Sequence, residues 1–293
     1  MIAKQVNELS LQQIIFLDFL LKDFEFCPLS EALKIALPIV FETHVETQAE
    51  LKNISQLCKL LHFACRRHLS QQTVAFLIKS VLDEATRLDL KSAKIVVHSI
   101  CELDTIDDNS VLLLHQALDV IVNNKSKCSY SDFDVILSKL ASKFSQKRFY
   151  LYHENFLHSA TSFIVERQRS FEEGVWIVKK ASKFGFVNLK LLGYLAAKAE
   201  RVPHVLSDCG TLILFSFVGG LSLADYRPNN WNILEPLILK NAFSHIGAVE
   251  LPWMKFALDL CTLDCWPLKL LDSLFNCDFL SKYLSRGCKL NHD

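Results

Sequence analysis

Glycine and proline are scarce in this sequence, which contains only 8 glycines and 7 prolines among its 293 residues. Together they make up about 5% of the chain, against roughly 12% in an average protein. Because tight turns between strands depend on these residue types, the shortage argues against a β-sandwich, a β-barrel or a glycine-rich nucleotide-binding fold. Large disordered parts are excluded as well, since 51% of the residues are hydrophobic. Long helices joined by short polar loops fit this composition best.

The motifs of the common enzyme classes are also missing. No G-x-G-x-x-G or Walker sequence occurs, and Gly219-Gly220 is the only close pair of glycines. The His-Arg-Asp and Asp-Phe-Gly triplets of protein kinases, the G-x-S-x-G elbow and the His-Glu-x-x-His pair are absent too. The sequence therefore predicts a protein without enzymatic activity and without a cofactor.

The ten cysteines form no Cys-x-x-Cys pair and lie among apolar residues, which is typical of reduced, mostly buried thiols in an intracellular compartment. The most metal-like group is Cys58, His62, Cys65 and His68. Four residues on one straight helix cannot surround an ion tetrahedrally, so core positions are the better interpretation. The same objection applies less sharply to a second group, formed by Cys261, Cys265, Cys277 and Cys288. No metal site is predicted.

No long hydrophobic run is present. The longest uncharged stretch, between Asp208 and Asp225, has 16 residues and contains the glycine pair, so it is too short and too broken for a membrane-spanning helix. The acidic residues Glu8, Asp18 and Asp23 do not fit a signal peptide or an arginine-rich transit peptide. We therefore expect no membrane span, and either a protein that is not imported or a chain that lacks its true start.

What the sequence does contain is an internal repeat. The segment Leu61–Cys65 recurs as Val97–Cys101 at an offset of 36 residues, and Ala141–Phe144 recurs as Ala181–Phe184 at an offset of 40. Self-similarity at this interval indicates stacked helix pairs, each of which buries its apolar face against its neighbours. The sequence predicts an all-α solenoid with a repeat period of about 36–41 residues. Two prolines blur the repeat in the first 55 or so residues, which form either a regular unit or an irregular cap.

Helix start and stop signals agree with this interpretation. Ser70 is expected to cap a helix that runs to about Arg87, and Asp108, Asn109 or Ser110 offers a cap for the helix that carries Leu112 to Val122. Asn230 is expected to cap a further helix, Pro252 and Pro267 fit first-turn positions, and Asp278 can cap a last helix that Gly287 closes.

The balanced total of 32 basic and 32 acidic residues hides an uneven distribution. Residues 135–201 contain 12 basic and 5 acidic side chains, a net charge of +7, whereas the segments before and after have net charges of −5 and −2. Within the basic segment, lysines four residues apart form an exposed stripe on one helix, and a second stripe follows one repeat later. The first stripe is Lys139, Lys143 and Lys147, the second is Lys179 and Lys183, and Arg148 and Lys180 enlarge them.

Equivalent residues of neighbouring repeats face the same way, so the two stripes are expected to merge into one positive patch. Such a patch would contact the phosphates of single-stranded RNA. The alternative interpretation is an ordinary solvated face.

Two segments of the carboxy-terminal third resemble the FAST kinase domain-containing proteins. Residues Leu214–Pro228, with the sequence LFSFVGGLSLADYRP, resemble that family's helix, short turn and Tyr-x-Pro element. Residues Phe256–Phe275, followed by Asp278–Leu280, resemble its leucine-rich segment. We accordingly divide the chain into a helical-repeat array at 1–204 and a leucine-rich FAST kinase-like segment at 205–290 that continues the array.

The resemblance implies a mitochondrial RNA-binding protein that acts in the matrix on the processing, stability or translation of mitochondrial transcripts. Single-stranded RNA and other mitochondrial RNA-processing proteins are the partners it implies. The family usually continues into a second segment and a carboxy-terminal RAP domain, which this sequence does not contain, so nuclease-like chemistry is not carried over. A protein–protein interaction scaffold is the alternative function, since helical arrays of this size commonly bind peptides or other domains.

Overall fold

The computed structural model describes residues 6–23, 27–144, 151–245 and 251–289. Within these ranges the regular structure is helical and no strand occurs, which confirms the predicted all-α fold class. The described α-helices are α1 (Leu11–Leu20), α2 (Pro28–Gln48), α3 (Ile54–Arg66), α4 (Gln71–Asp83), α5 (Leu90–Cys101), α6 (Asp108–Asn123), α7 (Tyr130–Phe144), α8 (Glu154–Glu166), α9 (Phe171–Ser182), α10 (Leu189–Arg201), α11 (His204–Asp208), α12 (Thr211–Leu223), α13 (Trp231–Ser244), α14 (Trp253–Thr262), α15 (Leu268–Leu274) and α16 (Cys277–Lys289). Two short 3-10 helices, Ala85–Arg87 and Lys125–Lys127, follow α4 and α6.

The chain forms two compact units. Unit 1 consists of Met1–Cys128 and Ser142–Phe156, and unit 2 consists of Ser129–Ala141 and Leu157–Asp293. Helices α7 and α8 therefore contribute residues to both units. The domain boundary predicted at residue 204 lies within unit 2, at the first residue of α11.

Unit 1 is built from helix pairs that stack in two rows. Helices α1, α3 and α5 pack against one another in succession, and α2, α4 and α6 form the second row in the same way. Each first-row helix also packs against the second-row helix that follows it in the chain. Helices α3 and α5 begin 36 residues apart, as the repeat predicts. Because α1 and α2 follow the same pattern, the first 55 or so residues contain a regular helix pair.

Unit 2 repeats this arrangement. Helices α9, α12 and α14 pack in succession and begin 40 and 42 residues apart, while α10 packs against α13 in the second row. Helices α14, α15 and α16 pack in chain order at the carboxy-terminal end. Gly220 accounts for the close approach of α9 and α12, because a Cβ atom at this position would lie 2.5 Å from Cγ1 of Val178.

Five of the described helices end in the same way, with one residue in the left-handed conformation and a hydrogen bond from the next residue back across the last turn. At the end of α3, His68 has a φ of 49°, and the Leu69 amide donates to the Ala64 carbonyl at 3.0 Å. The five left-handed residues are His68, Gln168, Gly185, Asp225 and Asp264. Four of these five positions, which glycine usually occupies, are thus occupied by polar residues. Helices can therefore end in this way even though the chain contains few glycines.

The predicted helix starts are confirmed in part. Ser70 caps α4, with its hydroxyl 3.3 Å from a first-turn amide, but the α-helix ends at Asp83 and a 3-10 helix follows to Arg87. The cap predicted for the helix that carries Leu112 to Val122 is wrong by one residue or more, because this helix, α6, is capped by Asp107, whose carboxylate accepts the Ser110 amide at 2.8 Å. Asn230 lies immediately before α13 as predicted, but its side chain makes no capping hydrogen bond. Pro252 and Pro267 lie immediately before α14 and α15, one residue ahead of the predicted first-turn positions.

The boundaries of the last helix differ from the prediction. Helix α16 begins at Cys277, and the Asn276 side chain, rather than Asp278, accepts a first-turn amide at 2.9 Å. The prediction that Gly287 closes this helix is wrong, since α16 runs to Lys289. A glycine inside a helix costs only about 1 kcal/mol relative to alanine, which does not suffice to end it.

Two histidine rings of unit 1 stack on each other. The ring centroids of His115 and His153 are 5.2 Å apart. The His153 ring is buried, its Nδ1 accepts the Phe156 amide at 3.1 Å, and its Nε2 lies 3.2 Å from Oδ1 of Asp119. Burial, and then the neighbouring His153, lower the pKa of His115 below its ordinary 6.5.

This arrangement predicts that unit 1 loses stability at acidic pH. With a folded-state pKa below the unfolded value, the unfolded state binds more protons once the pH falls below about 6.5. The stabilisation is therefore complete above that pH and is lost below it. We expect a lower urea midpoint at about pH 5 than at about pH 7.5, and a smaller difference in a His115→Phe variant. An equal pH dependence in His115→Phe and in a variant of the exposed His204 would contradict this assignment.

Candidate nucleic-acid interface

Lys143 and Lys180 are engaged by acceptors inside the protein. In unit 1, the Lys143 ammonium on the last turn of α7 donates to the Leu103 carbonyl. In unit 2, the Lys180 ammonium donates to the Asp134 carboxylate of α7, and only 17% of the Lys180 side chain is exposed. Lys143 thus links α7 to the loop between α5 and α6, and Lys180 links α9 to α7. Because an ammonium group has three N–H donors, these contacts hold both side chains in place without excluding a phosphate.

The other predicted residues differ in their surroundings. Lys139 is half-buried on α7, and Lys183 is exposed directly after α9. Lys147 and Arg148 lie outside the described residues. Because Lys143 belongs to unit 1 and the other described lysines belong to unit 2, the merging of the two stripes into one patch stays a prediction.

Lys179 lies against an aromatic ring. Its Nζ is 4.7 Å from the centre of the Trp176 ring, one turn earlier on α9. Partial burial, followed by repulsion from Lys183 and Lys180, lowers the pKa of Lys179. Trp176, Lys179 and Lys183 are three and four residues apart, so they share one face of α9. This face, which we call the α9 face, combines an aromatic ring with two positive charges.

The α9 face borders a groove in unit 2. Lys179 lines a cavity of about 470 Å³ between α9, α12 and α14, which we call the α9–α12–α14 groove. Lys255 on α14 lines the same cavity. The walls combine apolar side chains with hydroxyl groups, among them Leu212, Leu223, Phe256, Ser182, Ser216 and Ser222. The groove therefore offers charged, polar and apolar contacts to one ligand.

A carboxylate lies inside this groove next to a glycine. The Asp259 side chain is only 11% exposed and pairs with Lys255, whose Nζ lies 2.9 and 3.1 Å from the two carboxylate oxygens. Gly219 leaves room for this carboxylate, because a Cβ atom at Gly219 would lie 3.2 Å from Oδ2 of Asp259. Nearby, the hydroxyls of Ser222 and Thr262 are 2.6 Å apart. The packing of Gly219 against Asp259 and the contact between Ser222 and Thr262 thus each join residues of α12 and α14 that are 40 positions apart.

Trp176 of the α9 face and the groove residues Lys255 and Asp259 do not follow from the sequence patterns. Trp176 lies between the apolar residues Val175 and Ile177, so nothing in the sequence distinguishes it from a core residue. Lys255 and Asp259 belong to residues 202–293, where a net charge of −2 indicates no basic site. The sequence contains one signal that points to the contact between Gly219 and Asp259: the two residues are 40 positions apart, which equals one offset of the repeat.

The cysteine–histidine group of α3 has surroundings typical of core residues. Cys58 and Cys65 are buried, and this burial raises the pKa of each thiol to about 12. His62 Nδ1 lies 3.4 Å from the Ser99 hydroxyl, and the exposed His68 lies 3.3 Å from the Asp104 carboxylate. No group of three His, Cys, Asp or Glu side chains suited to a metal ion occurs in the part of the chain that the structure describes.

No protein-family model matches the sequence, and no curated protein matches it. The resemblance to the FAST kinase domain-containing proteins therefore rests on the two quoted segments. In the structure these segments lie in α12 and the turn after it, in α14 and α15, and at the start of α16. The contact between α12 and α14 forms two walls of the groove. Among the helices in the described ranges, none combines the length and the apolar character needed to cross a membrane.

Proposed function

We propose that this chain is a non-enzymatic RNA-binding helical-repeat protein that acts in mitochondrial RNA processing, stability or translation. The observation that carries the RNA-binding part is the α9 face, where Lys179 lies over Trp176 next to Lys183 and to the groove. The mitochondrial part rests on the resemblance of the carboxy-terminal segments to the FAST kinase domain-containing proteins.

An unpaired RNA strand offers two kinds of group to the α9 face. Its phosphates attract Lys179 and Lys183, and the release of counterions adds affinity that does not depend on base sequence. Its unstacked bases bind to aromatic rings, and the Trp176 indole becomes available when Lys179 turns towards a phosphate. A double helix keeps its bases in the stack, so this combination favours single-stranded RNA.

Removing the two charges of the α9 face should weaken RNA binding and its salt dependence together. For Lys179→Gln/Lys183→Gln we expect the slope of log K against log salt concentration to shrink by about 1.4, at roughly 0.7 per phosphate contact on a single strand. Affinities for oligouridine and oligocytidine should fall by similar factors, since phosphate contacts carry no sequence information. Fluorescence anisotropy of labelled oligonucleotides over a salt series measures both effects.

A variant with the same change of charge elsewhere serves as the control. Lys91→Gln/Lys127→Gln removes two exposed lysines of unit 1 and should keep the slope of the unmodified chain. If Lys179→Gln/Lys183→Gln also keeps that slope, the α9 face is an ordinary solvated surface. If the unmodified chain binds no RNA at low salt, the proposed function is wrong.

A protein–protein interaction scaffold is the second candidate, and exposed apolar side chains at the carboxy-terminal end of unit 2 favour it. Five of them are more than 60% exposed: Leu258 (64%), Trp266 (64%), Leu268 (70%), Phe275 (63%) and Leu284 (66%). Apolar surface of this kind is typical of sites that bind other proteins. In a chain that binds no RNA, crosslinking to a partner should then map to α14–α16.

A further inference from the structure

We propose that the α9–α12–α14 groove holds one unstacked guanine base of a bound RNA and reads its Watson–Crick edge. This inference rests on the proposed function, since the base arrives as part of an RNA strand. Its basis is the pair of Lys255 and Asp259, in which an ammonium group lies 2.9 and 3.1 Å from the oxygens of a largely buried carboxylate inside the groove.

The Lys255–Asp259 pair presents one donor group next to two acceptor atoms. The Watson–Crick edge of guanine has the complementary order, because the acceptor O6 is followed by the donors N1–H and N2–H. O6 can therefore accept from Lys255 while the two N–H groups donate to the two oxygens of Asp259. In the structure Lys255 Nζ lies within 3.1 Å of both carboxylate oxygens, which is the place that N1–H and N2–H would take. The Lys255 side chain is 69% exposed, so it has room to turn from these oxygens towards O6 when the base binds.

No other RNA base satisfies this pair as completely. Uracil has a single donor, N3–H, and places its second carbonyl oxygen against a carboxylate oxygen. Adenine and cytosine each have one amino group next to a ring nitrogen that accepts, so they make one bond to Asp259 and one with Lys255. Guanine makes three bonds, and a buried polar group that stays without a partner costs affinity.

The other groove residues suit the remaining parts of a guanine nucleotide. The volume of about 470 Å³ is ample for one base, and the half-exposed Leu212 and Leu223 provide apolar contact for the faces of its ring. Lys179 lines the groove from α9, where it can bind the phosphate of the same nucleotide. Gly219 keeps the carboxylate accessible, since a side chain there would press on Oδ2 of Asp259.

A change of one base in the RNA tests the inference on the unmodified chain. An oligouridine with one central guanosine should bind about tenfold more tightly than the same strand with inosine, because inosine lacks the N2 amino group and a hydrogen bond to a charged group is worth about a factor of ten or more. The strand with adenosine should bind no more tightly than the inosine strand. Competition measured by fluorescence anisotropy gives these ratios.

A change of one residue in the protein tests the same contact. Asp259→Asn should abolish the preference for guanosine over inosine, because the amide replaces one acceptor by a donor that opposes N2–H. Asp272→Asn, which alters an exposed aspartate of α15, should keep the preference. Far-UV circular dichroism establishes whether both variants are folded. If Asp259→Asn does not fold, the comparison of guanosine with inosine on the unmodified chain tests the inference.

The outcomes separate this inference from the proposed function. If the guanosine, inosine and adenosine strands bind the unmodified chain clearly and equally, the guanine inference is wrong and the proposed RNA-binding function stands. If no strand binds at low salt, the proposed function is wrong and the guanine inference falls with it. A preference for guanosine that Asp259→Asn retains in a folded protein also contradicts the assignment of this groove.

Discussion

Replacing Asp18 by asparagine should lower the free energy of unfolding of unit 1 by about 3 kcal/mol. Asp18 lies on α1 with no exposed surface, and its two carboxylate oxygens pair with the guanidinium groups of Arg66 and Arg67 at the end of α3. Removing a buried partner costs roughly 3–5 kcal/mol, because the remaining charge is no longer compensated. We expect the lower end of this range, since the arginine side chains are 29% and 27% exposed and water can reach them.

Urea unfolding followed by far-UV circular dichroism measures this loss. Asp23→Asn, an exposed control close to the end of α1, should change the free energy of unfolding by less than about 0.5 kcal/mol. The triple variant Asp18→Leu/Arg66→Met/Arg67→Met should recover much of the loss, because it removes the desolvation cost together with the attraction. Equal midpoints for Asp18→Asn and Asp23→Asn would show that the ion pairs do not stabilise the packing of α1 on α3.

The pairing of Asp18 illustrates what the repeat pattern leaves open. The offsets in the sequence predict that helices stack in pairs, and α3 and α5 do begin 36 residues apart. The offsets do not determine the rotation of each helix about its own axis. This rotation determines which side chains of neighbouring helices come into contact. Asp18 stands 48 residues before Arg66, an interval that matches no offset of the repeat, so in the sequence Asp18 is only an acidic residue near the amino terminus.

Helix stops escape prediction for a related reason. Glycine is the usual signal for a left-handed residue at a helix end, and Gly185 is one example. At the ends of α12 and α14 the left-handed residues are Asp225 and Asp264, with φ values of 46° and 62°. Aspartate also occurs inside helices and at their starts, so its presence indicates no stop. The structure shows the stop by the hydrogen bonds that follow it, from the Tyr226 amide to Leu221 and from the Cys265 amide to Leu260, each at 3.0 Å.

The candidate site, too, follows from the sequence only in part. Charge and offset place the predicted lysines on α7 and α9, and the described ones do lie on or directly after these helices. The pattern does not reveal which ammonium groups have acceptors, and Lys180 and Lys143 find theirs 46 and 40 residues earlier in the chain. The groove depends on Gly219 and Asp259, which lie in segments that otherwise show only the packing pattern of helices.

Replacing Trp253 by alanine should lower the free energy of unfolding of unit 2 by about 3–5 kcal/mol. Trp253 is fully buried at the first residue of α14 and meets the Phe215 ring edge-on at a centroid distance of 4.9 Å. Phe215 in turn stacks on Phe256 at 4.0 Å, so the three rings join α12 to α14. Alanine would leave a cavity between these helices that the stacked rings cannot fill without giving up their contact.

Trp266→Ala is the matched control, because the Trp266 side chain is 64% exposed and its loss should cost less than about 0.5 kcal/mol. In conditions where Trp253→Ala is still folded, we expect it to lose the preference for guanosine, since α14 holds both Lys255 and Asp259. Its salt dependence should change less, because Lys179 and Lys183 belong to the α9 face. If Trp253→Ala unfolds like Trp266→Ala, the aromatic contact does not hold α12 and α14 together, and the geometry of the Lys255–Asp259 pair must depend on other contacts of α14.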